Sequence, residues 1–130
     1  MKLMQAVRAH LAAEEMGKQT LPYDLALALV KVKKATRDDT AFFIEKEREL
    51  VMEYAALDER GNVRLTAAGT FVFKDPARGG EYEAARQELG STDIGLQPVL
   101  LRVKAPAQIK PEHIEALEGF VDFITEEARM

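Results

Sequence analysis

The sequence predicts an α+β fold that is mostly helical, in a single domain covering residues 1–130. Residues 23–54 contain neither glycine nor proline and are rich in alanine, leucine, lysine and glutamate, which favour helix. Short runs of β-branched and aromatic residues bounded by glycine, which are typical of strands, occur only after residue 60. These observations divide the domain into a helical hairpin at 1–56 and an α+β portion at 57–130 with a small three-stranded β region, a short helix and a C-terminal helix.

The first helix is predicted over residues 3–17. Leu3, Val7 and Leu11 recur at four-residue steps, which places them on one face of a helix. Gly17 follows this pattern, and glycine commonly stops a helix. The link to the next helix is then only a few residues long, which is typical of a helical hairpin.

A much longer helix is predicted to follow, over residues 23–54. Pro22 stands at its first turn, where a helix tolerates proline. Nine positions at steps of three and four then run to the end of this span, and six of them are apolar while Thr36, Asp39 and Lys46 are polar. This near-heptad stripe predicts one continuous rod about 48 Å long at about 1.5 Å per residue. The alternative is a break at residues 36–40, where Asp38 or Asp39 could cap a separate helix.

The C-terminal portion is predicted to hold three strands and two helices. These elements are strands at 63–66, 70–74 and 94–103 and helices at 81–89 and 111–124. Gly61 provides a tight turn before the first strand, and Pro98 places the third strand at a sheet edge or beside a bulge. Gly90 ends the first of these helices and Pro111 begins the second. Gly119 inside the second helix costs up to ~1 kcal/mol, which indicates close packing against another backbone.

Composition and charge exclude several classes of protein. The chain has no cysteine, which excludes disulfide scaffolds and thiolate metal sites. Its net charge of −4 argues against nucleic-acid binding, and we interpret the basic residues at 31–37 as a solvated helix face. There is no secretory signal and no apolar stretch near the ~20 residues that span a bilayer, so we expect no membrane partner. We expect a cytoplasmic location.

No arrangement of residues indicates a catalytic, metal or cofactor site. His10 and Glu14 share one helix face without a second histidine, and His113 is expected to be an ordinary surface group. Ser91 is not enclosed in a G-x-S-x-G motif and is interpreted as a turn residue or a cap. The glycine pair within 78–81 precedes a helix, but the neighbouring glutamates would repel a phosphate. We therefore predict neither an enzyme nor a cofactor-dependent protein.

The long helix creates a surface that the first helix cannot cover. About fifteen residues of the first helix shield a similar length of the second, roughly residues 23–37. The apolar residues beyond must be covered by the C-terminal portion or by another subunit, and the sequence leaves both options open. The candidate interface residues are Lys31, Phe42, Phe43, Leu50, Glu53 and Tyr54. The rod is basic in its first half and acidic in its second, so two copies crossing antiparallel near Phe42 would set Lys31 against Glu53.

Residues 21–62 carry a pattern by which the sequence resembles a known group of proteins. The pattern begins as L-P-x-x-x-A-x-x-L with spaced lysines, on Leu21, Pro22, Ala26, Leu29, Lys31 or Val32, and Lys34. It continues as I-E-K-E-R-E-L-V-M-E-Y at 44–54 and D-E-R-G-N at 58–62, followed by a strand near 98–103 and a helix near 114–124. This resembles small proteins of unknown function encoded by tailed bacteriophages and prophages. The resemblance implies a phage setting, in which such proteins serve in assembly, as adaptors or in host interaction. It also implies that the cytoplasm expected above is that of the host cell, with association with the virion as a further option.

Together these observations favour a non-enzymatic interaction or assembly protein of phage or prophage origin that forms homo-oligomers through its long helix. Its partners are then further copies of the chain or another phage or host protein. Two alternatives stay open at this point: a host-directed regulator that binds a bacterial protein, and a small hydrolase or nucleotide-binding enzyme. A regulator requires an exposed apolar groove, whereas an enzyme requires a concave site with converging carboxylates.

Overall fold

A computed structural model describes residues 1–124 as an α+β fold that is about half helical. Its helices are α1 (Leu3–Met16), α2 (Tyr23–Tyr54), α3 (Gly79–Gly90) and α4 (Pro111–Ala116), and its strands are β1 (Leu101–Lys104) and β2 (Val121–Ile124). A short 3-10 helix, Pro76–Arg78, leads directly into α3. None of the helices within residues 1–124 is both long enough and apolar enough to cross a lipid bilayer.

The two N-terminal helices form the predicted hairpin, and α2 is continuous across residues 36–40. Thr36 faces inward, and its hydroxyl donates a hydrogen bond to the Val32 carbonyl oxygen one turn earlier at 2.8 Å. The same hydroxyl lies 3.0 Å from Nδ1 of His10 on α1. Because this buried polar group is bonded within the helix and to α1, the polar segment stays helical. The prediction of one continuous rod is confirmed.

The main core lies where α1 and α2 meet β1, α4 and β2. On α1 it is built from alanines, Ala9, Ala12 and Ala13, whose small side chains let neighbouring elements approach closely. The larger core residues are Leu25, Leu29, Val32, Val103, Leu117, Phe120 and Val121. The first half of α2 is therefore covered by α1 and by the C-terminal portion together.

The distal half of α2 is covered on one side by α3. Phe43 is buried beside α3 and the start of α1, and Tyr54 packs edge-on against Tyr82 of α3 with ring centroids 5.8 Å apart. On either side of Phe43, however, Phe42 and Ile44 are 46% and 48% exposed. The chain therefore covers the inner side of the distal half and leaves its outer side in solvent.

Between α2 and α3 the chain folds into a small unit with β-type hydrogen bonds. The backbone N–H of Arg64 donates to the oxygen of Ala56, that of Val72 to the oxygen of Arg64, and that of Ala56 to the oxygen of Val72. Each of the three segments is thus bonded to the other two, which leaves isolated bridges in place of a regular ladder. The predicted three-stranded region, with strands at 63–66 and 70–74, is not confirmed, since the regular sheet of residues 1–124 has two strands.

That sheet pairs β1 and β2 in parallel, with Leu101 opposite Val121. The third predicted strand, 94–103, becomes regular only at its end. Gly95 has a φ of +66°, which a strand does not contain, and Pro98 lacks the N–H that a ladder needs. The strand predicted at 94–103 was therefore too long, since the regular strand begins only at Leu101.

The helix predicted over 111–124 ends at Ala116, and its second half is β2. Gly119 separates the two with a φ of +89°, in the left-handed region that terminates helices. In β2 Val121 is buried, Asp122 is exposed, and Phe123 and Ile124 are half-buried. The apolar spacing resembled a helix, but the glycine breaks it and the β-branched and aromatic residues that follow favour a strand.

Candidate interaction surface

The six candidate interface residues of α2 divide into buried and accessible positions. Phe43 and Tyr54 are almost fully buried within their own chain, so they belong to its core. Their burial follows from the packing of α3, which supplies the cover that the sequence left unassigned. The accessible positions are Lys31, Phe42, Glu53 and, half-buried, Leu50.

A groove of about 450 Å³ lies between α2 and α3. Its apolar lining comes from Phe42, Leu50, Ala85 and Leu89, and its charged lining from Lys46, Glu49, Glu53 and Glu88. Three of these four charged groups are carboxylates, so the groove combines an apolar floor with an acidic rim. This chemistry suits an amphipathic helix that carries basic residues.

The side of the groove formed by α3 is fixed by contacts between charged groups and aromatic rings. Nε of Arg86 donates to Oε2 of Glu47 at 2.8 Å, and the guanidinium lies 5.8 Å from the centroid of the Phe43 ring. At the other end, the guanidinium of Arg78 lies 4.6 Å from the centroid of the Tyr54 ring. These contacts hold α3 beside α2, so the groove exists without a partner.

The start of α3 combines an ion pair with a buried phenol. Arg78 donates from Nε to Oε2 of Glu81 at 2.9 Å, and this hydrogen bond raises the pKa of the guanidinium. Burial raises the pKa of Tyr82, which keeps its phenol neutral where it packs on Tyr54.

On the exposed face of α2, charged residues lie at equal separations before and after Phe42, and the two members of each pair have opposite charges. At about 100° per residue, one face of a straight helix holds Lys31, Ala35, Asp38, Phe42, Lys46, Glu49 and Glu53. We call these seven residues the α2 face. In the part of the chain that the structure describes, Lys31, Asp38 and Glu53 form no ion pair, so their charges are available to a partner.

Four members of the α2 face, Ala35, Asp38, Lys46 and Glu49, were missed when only the sequence was considered. Asp38 and Lys46 lie four residues before and four residues after Phe42. Lys46 Nζ lies 5.7 Å from the centroid of the Phe42 ring and 3.2 Å from Oε2 of Glu49. Their equal separation from an exposed aromatic residue was the available signal, and it was obscured by the many other charges on this helix.

Both histidines contact carboxylates near the end of α1. His113 was expected to be a surface group but is buried, because α4 packs against α1, and its Nε2 lies 3.5 Å from Oε2 of Glu15. Lys110 donates to the same carboxylate at 3.2 Å and lowers the pKa of Glu15. His10 Nε2 lies 3.2 Å from Oε1 of Glu14. Within residues 1–124, no group of three or more histidine, aspartate or glutamate side chains is placed to hold a metal ion.

A second concave region, of about 680 Å³, lies beside the unit at residues 55–74. Three aromatic rings line it, from Phe71, Phe73 and Tyr82, with centroids 4.7–5.7 Å apart. Both phenylalanine rings lie edge-on to the Tyr82 ring and are tilted against each other at 54°, so the three rings pack directly on one another. This region is therefore a packed aromatic cluster with one open side.

Comparison of the chain with protein-family models, with curated proteins and with solved structures gives no match. The groove and the α2 face are therefore interpreted from their own residues.

Proposed function

We propose that this protein is a non-enzymatic interaction or assembly protein of a phage or prophage that self-associates through the α2 face. The observation that carries the proposal is Phe42, which leaves 46% of its surface exposed at the centre of that face. Fully burying an exposed aromatic side chain contributes roughly 1.5–3 kcal/mol, so covering the exposed 46% of Phe42 contributes roughly 1 kcal/mol, and a symmetric dimer covers two such rings. The resemblance of the sequence to phage and prophage proteins supports the assembly setting.

The chemistry of the groove supports contact with a protein partner. Its apolar floor provides area to bury, and its acidic rim provides charges that select the partner. The rim carboxylates are solvated, with 58% of the Glu49 side chain exposed. Catalytic carboxylates, by contrast, are tuned by burial and by close charged neighbours.

The test is the molar mass of the protein in solution over a wide range of concentration. Sedimentation equilibrium from about 1 µM to about 300 µM covers the dissociation constants expected of a modest interface. Wild type is expected to shift from monomer to dimer across this range. Phe42→Arg is expected to stay monomeric, because the substitution places a charge at the centre of the contact.

Ile44→Arg is the matched control, because Ile44 is as exposed as Phe42 and lies on a different side of the same helix. It is expected to associate like wild type, and circular dichroism checks that both variants keep their helix content. A wild-type protein that stays monomeric at every concentration contradicts the proposal. Equal loss of association in both variants contradicts the assignment to the α2 face.

A further inference from the structure

We infer that the second copy binds with its α2 antiparallel to the first, about a twofold axis at Phe42, so that the basic half of each α2 lies along the acidic groove of the other. This pairing rests on the self-association proposed above and specifies the partner and the register. The groove accepts a helix that carries basic residues, and residues 31–38 of a second copy supply such a segment with Lys31 and Ala35 exposed, while Val32 and Thr36 stay buried in their own chain.

The register follows from the positions of the charges around Phe42. Lys31 lies eleven residues before it (42 − 31) and Glu53 eleven after it (53 − 42), and Asp38 and Lys46 lie four residues before and after it. In an antiparallel pair centred on Phe42, residues at equal separation on opposite sides face each other. Lys31 of one copy then faces Glu53 of the other, Asp38 faces Lys46, and symmetry makes each pair twice.

The orientation is set by the same charges. In a parallel pair of identical helices every charge would face its own copy, so Lys31 would meet Lys31 and Glu53 would meet Glu53. Like charges that face each other destabilise an interface, whereas opposite charges select the register in which they meet. The α2 face therefore favours the antiparallel pair over the parallel one.

The side chains lie in directions that permit this contact. At about 100° per residue, Lys31 and Glu53 lie about 20° from the direction of Phe42, and Asp38 and Lys46 lie about 40° from it. Long lysine side chains reach across such offsets. Lys31, Asp38 and Glu53 form no ion pair within residues 1–124, whereas Lys46 already pairs with Glu49 at 3.2 Å, so Asp38 of the second copy adds a further acceptor to the Lys46 ammonium group.

The size of the contact predicts a reversible dimer. The α2 face rises over 22 residues (53 − 31), or about 33 Å, and with a width of about 10 Å it covers about 330 Å². Stable interfaces bury about 800 Å² per partner, so the α3 side of the groove has to contribute through Ala85 and Leu89. We expect a dissociation constant in the micromolar range.

Charge reversal tests the register. In a homodimer of Lys31→Glu, or of Glu53→Lys, two pairs of like charges face each other in place of the two ion pairs. Each variant is therefore expected to have a dissociation constant about tenfold or more higher than wild type at low salt. A mixture of the two variants restores both ion pairs, because one copy then carries carboxylates at positions 31 and 53 while the other carries ammonium groups at both. The mixture is therefore expected to associate like wild type in sedimentation equilibrium.

Arg37→Glu is the matched control, because it makes the same change of charge about 140° away from Phe42 on the same helix. It is expected to weaken association by less than threefold, about 0.6 kcal/mol or less. The register is overturned if Lys31→Glu raises the dissociation constant no more than Arg37→Glu does, or if the mixture associates no more tightly than either variant alone. Either result leaves the proposed self-association standing. A monomeric wild type would overturn both.

Discussion

Thr40 provides a sharp test of how α1 packs on α2, because its hydroxyl is buried without a hydrogen-bond partner. Thr40 is 3% exposed, and its Oγ1 makes no hydrogen bond within residues 1–124. Thr36, one turn earlier, is equally buried, but its hydroxyl donates to the Val32 carbonyl. The same hydroxyl lies 3.0 Å from Nδ1 of His10, so it has a second polar partner on α1.

The same substitution at these two positions should therefore change stability in opposite directions. Valine has the shape of threonine without the hydroxyl, so Thr40→Val removes an unpaired polar group and should stabilise the fold by about 1 kcal/mol. Thr36→Val removes a partner and leaves His10 Nδ1 unpaired, which should destabilise the fold by about 1–2 kcal/mol. Threonine and valine have similar helix propensities, so the change in backbone propensity is small and equal in the two variants.

Urea unfolding followed by circular dichroism measures both changes in free energy. For a chain of this size, 1 kcal/mol also shifts the melting temperature by about 3–5 °C, which scanning calorimetry detects. The expected result is a higher midpoint for Thr40→Val and a lower one for Thr36→Val. If Thr40→Val destabilises the protein as much as Thr36→Val does, the packing of α1 on α2 described above is wrong at this turn.

Two further predictions concern Gly119 and the contact between Glu15 and Lys110. Gly119→Ala should lower the free energy of unfolding, measured in urea, by about 1–2 kcal/mol, because Gly119 has a φ of +89°, which a residue with a Cβ adopts only with strain. A steric clash does not contribute, since the new Cβ would contact only Met1 Cε, at an ordinary 3.9 Å. Gly80→Ala is the control, since Gly80 lies in α3 with open space around its Cβ position and should not destabilise. The hydrogen bond from Lys110 lowers the pKa of Glu15, so the stability it contributes is present above the ordinary value of 4.5 and is lost as the pH falls below it. Glu15→Gln should therefore lose less stability than wild type on acidification, and equal losses would contradict this role.

The N-terminal half of the fold could be predicted because local signals decide it. Pro22, Gly17 and an uninterrupted run of helix formers define two helices, and no tertiary contact opposes them. The region after residue 55 depends on contacts distant in the sequence. The apolar spacing of residues 114–124 fits a helix, but the backbone at Gly119 and the pairing with β1 decide for a strand.

The candidate surface was predicted only in part, for a related reason. Which apolar residues of a long helix are covered depends on where α3 packs, and the sequence does not specify that position. Phe43 faces α3 and is buried, while its neighbour Phe42 points away and stays exposed. His113 was assigned to the surface for the same reason, since only the packing of α4 on α1 brings it to Glu15.

Disulfide cross-linking tests antiparallel self-association most directly, because the chain has no natural cysteine. Ala35 and Glu49 lie seven residues on either side of Phe42 (42 − 35 and 49 − 42), so the antiparallel pair places each opposite the other in the second copy. Residue 35 of one copy is then about 21 Å along the helix from residue 35 of the other, and the same holds for residue 49. This separation exceeds the ~7 Å between Cα atoms that a disulfide tolerates. Mixing Ala35→Cys with Glu49→Cys under mild oxidation should give the mixed dimer, while each variant alone stays uncross-linked. Disulfides formed within each variant alone, or none in the mixture, would contradict the account.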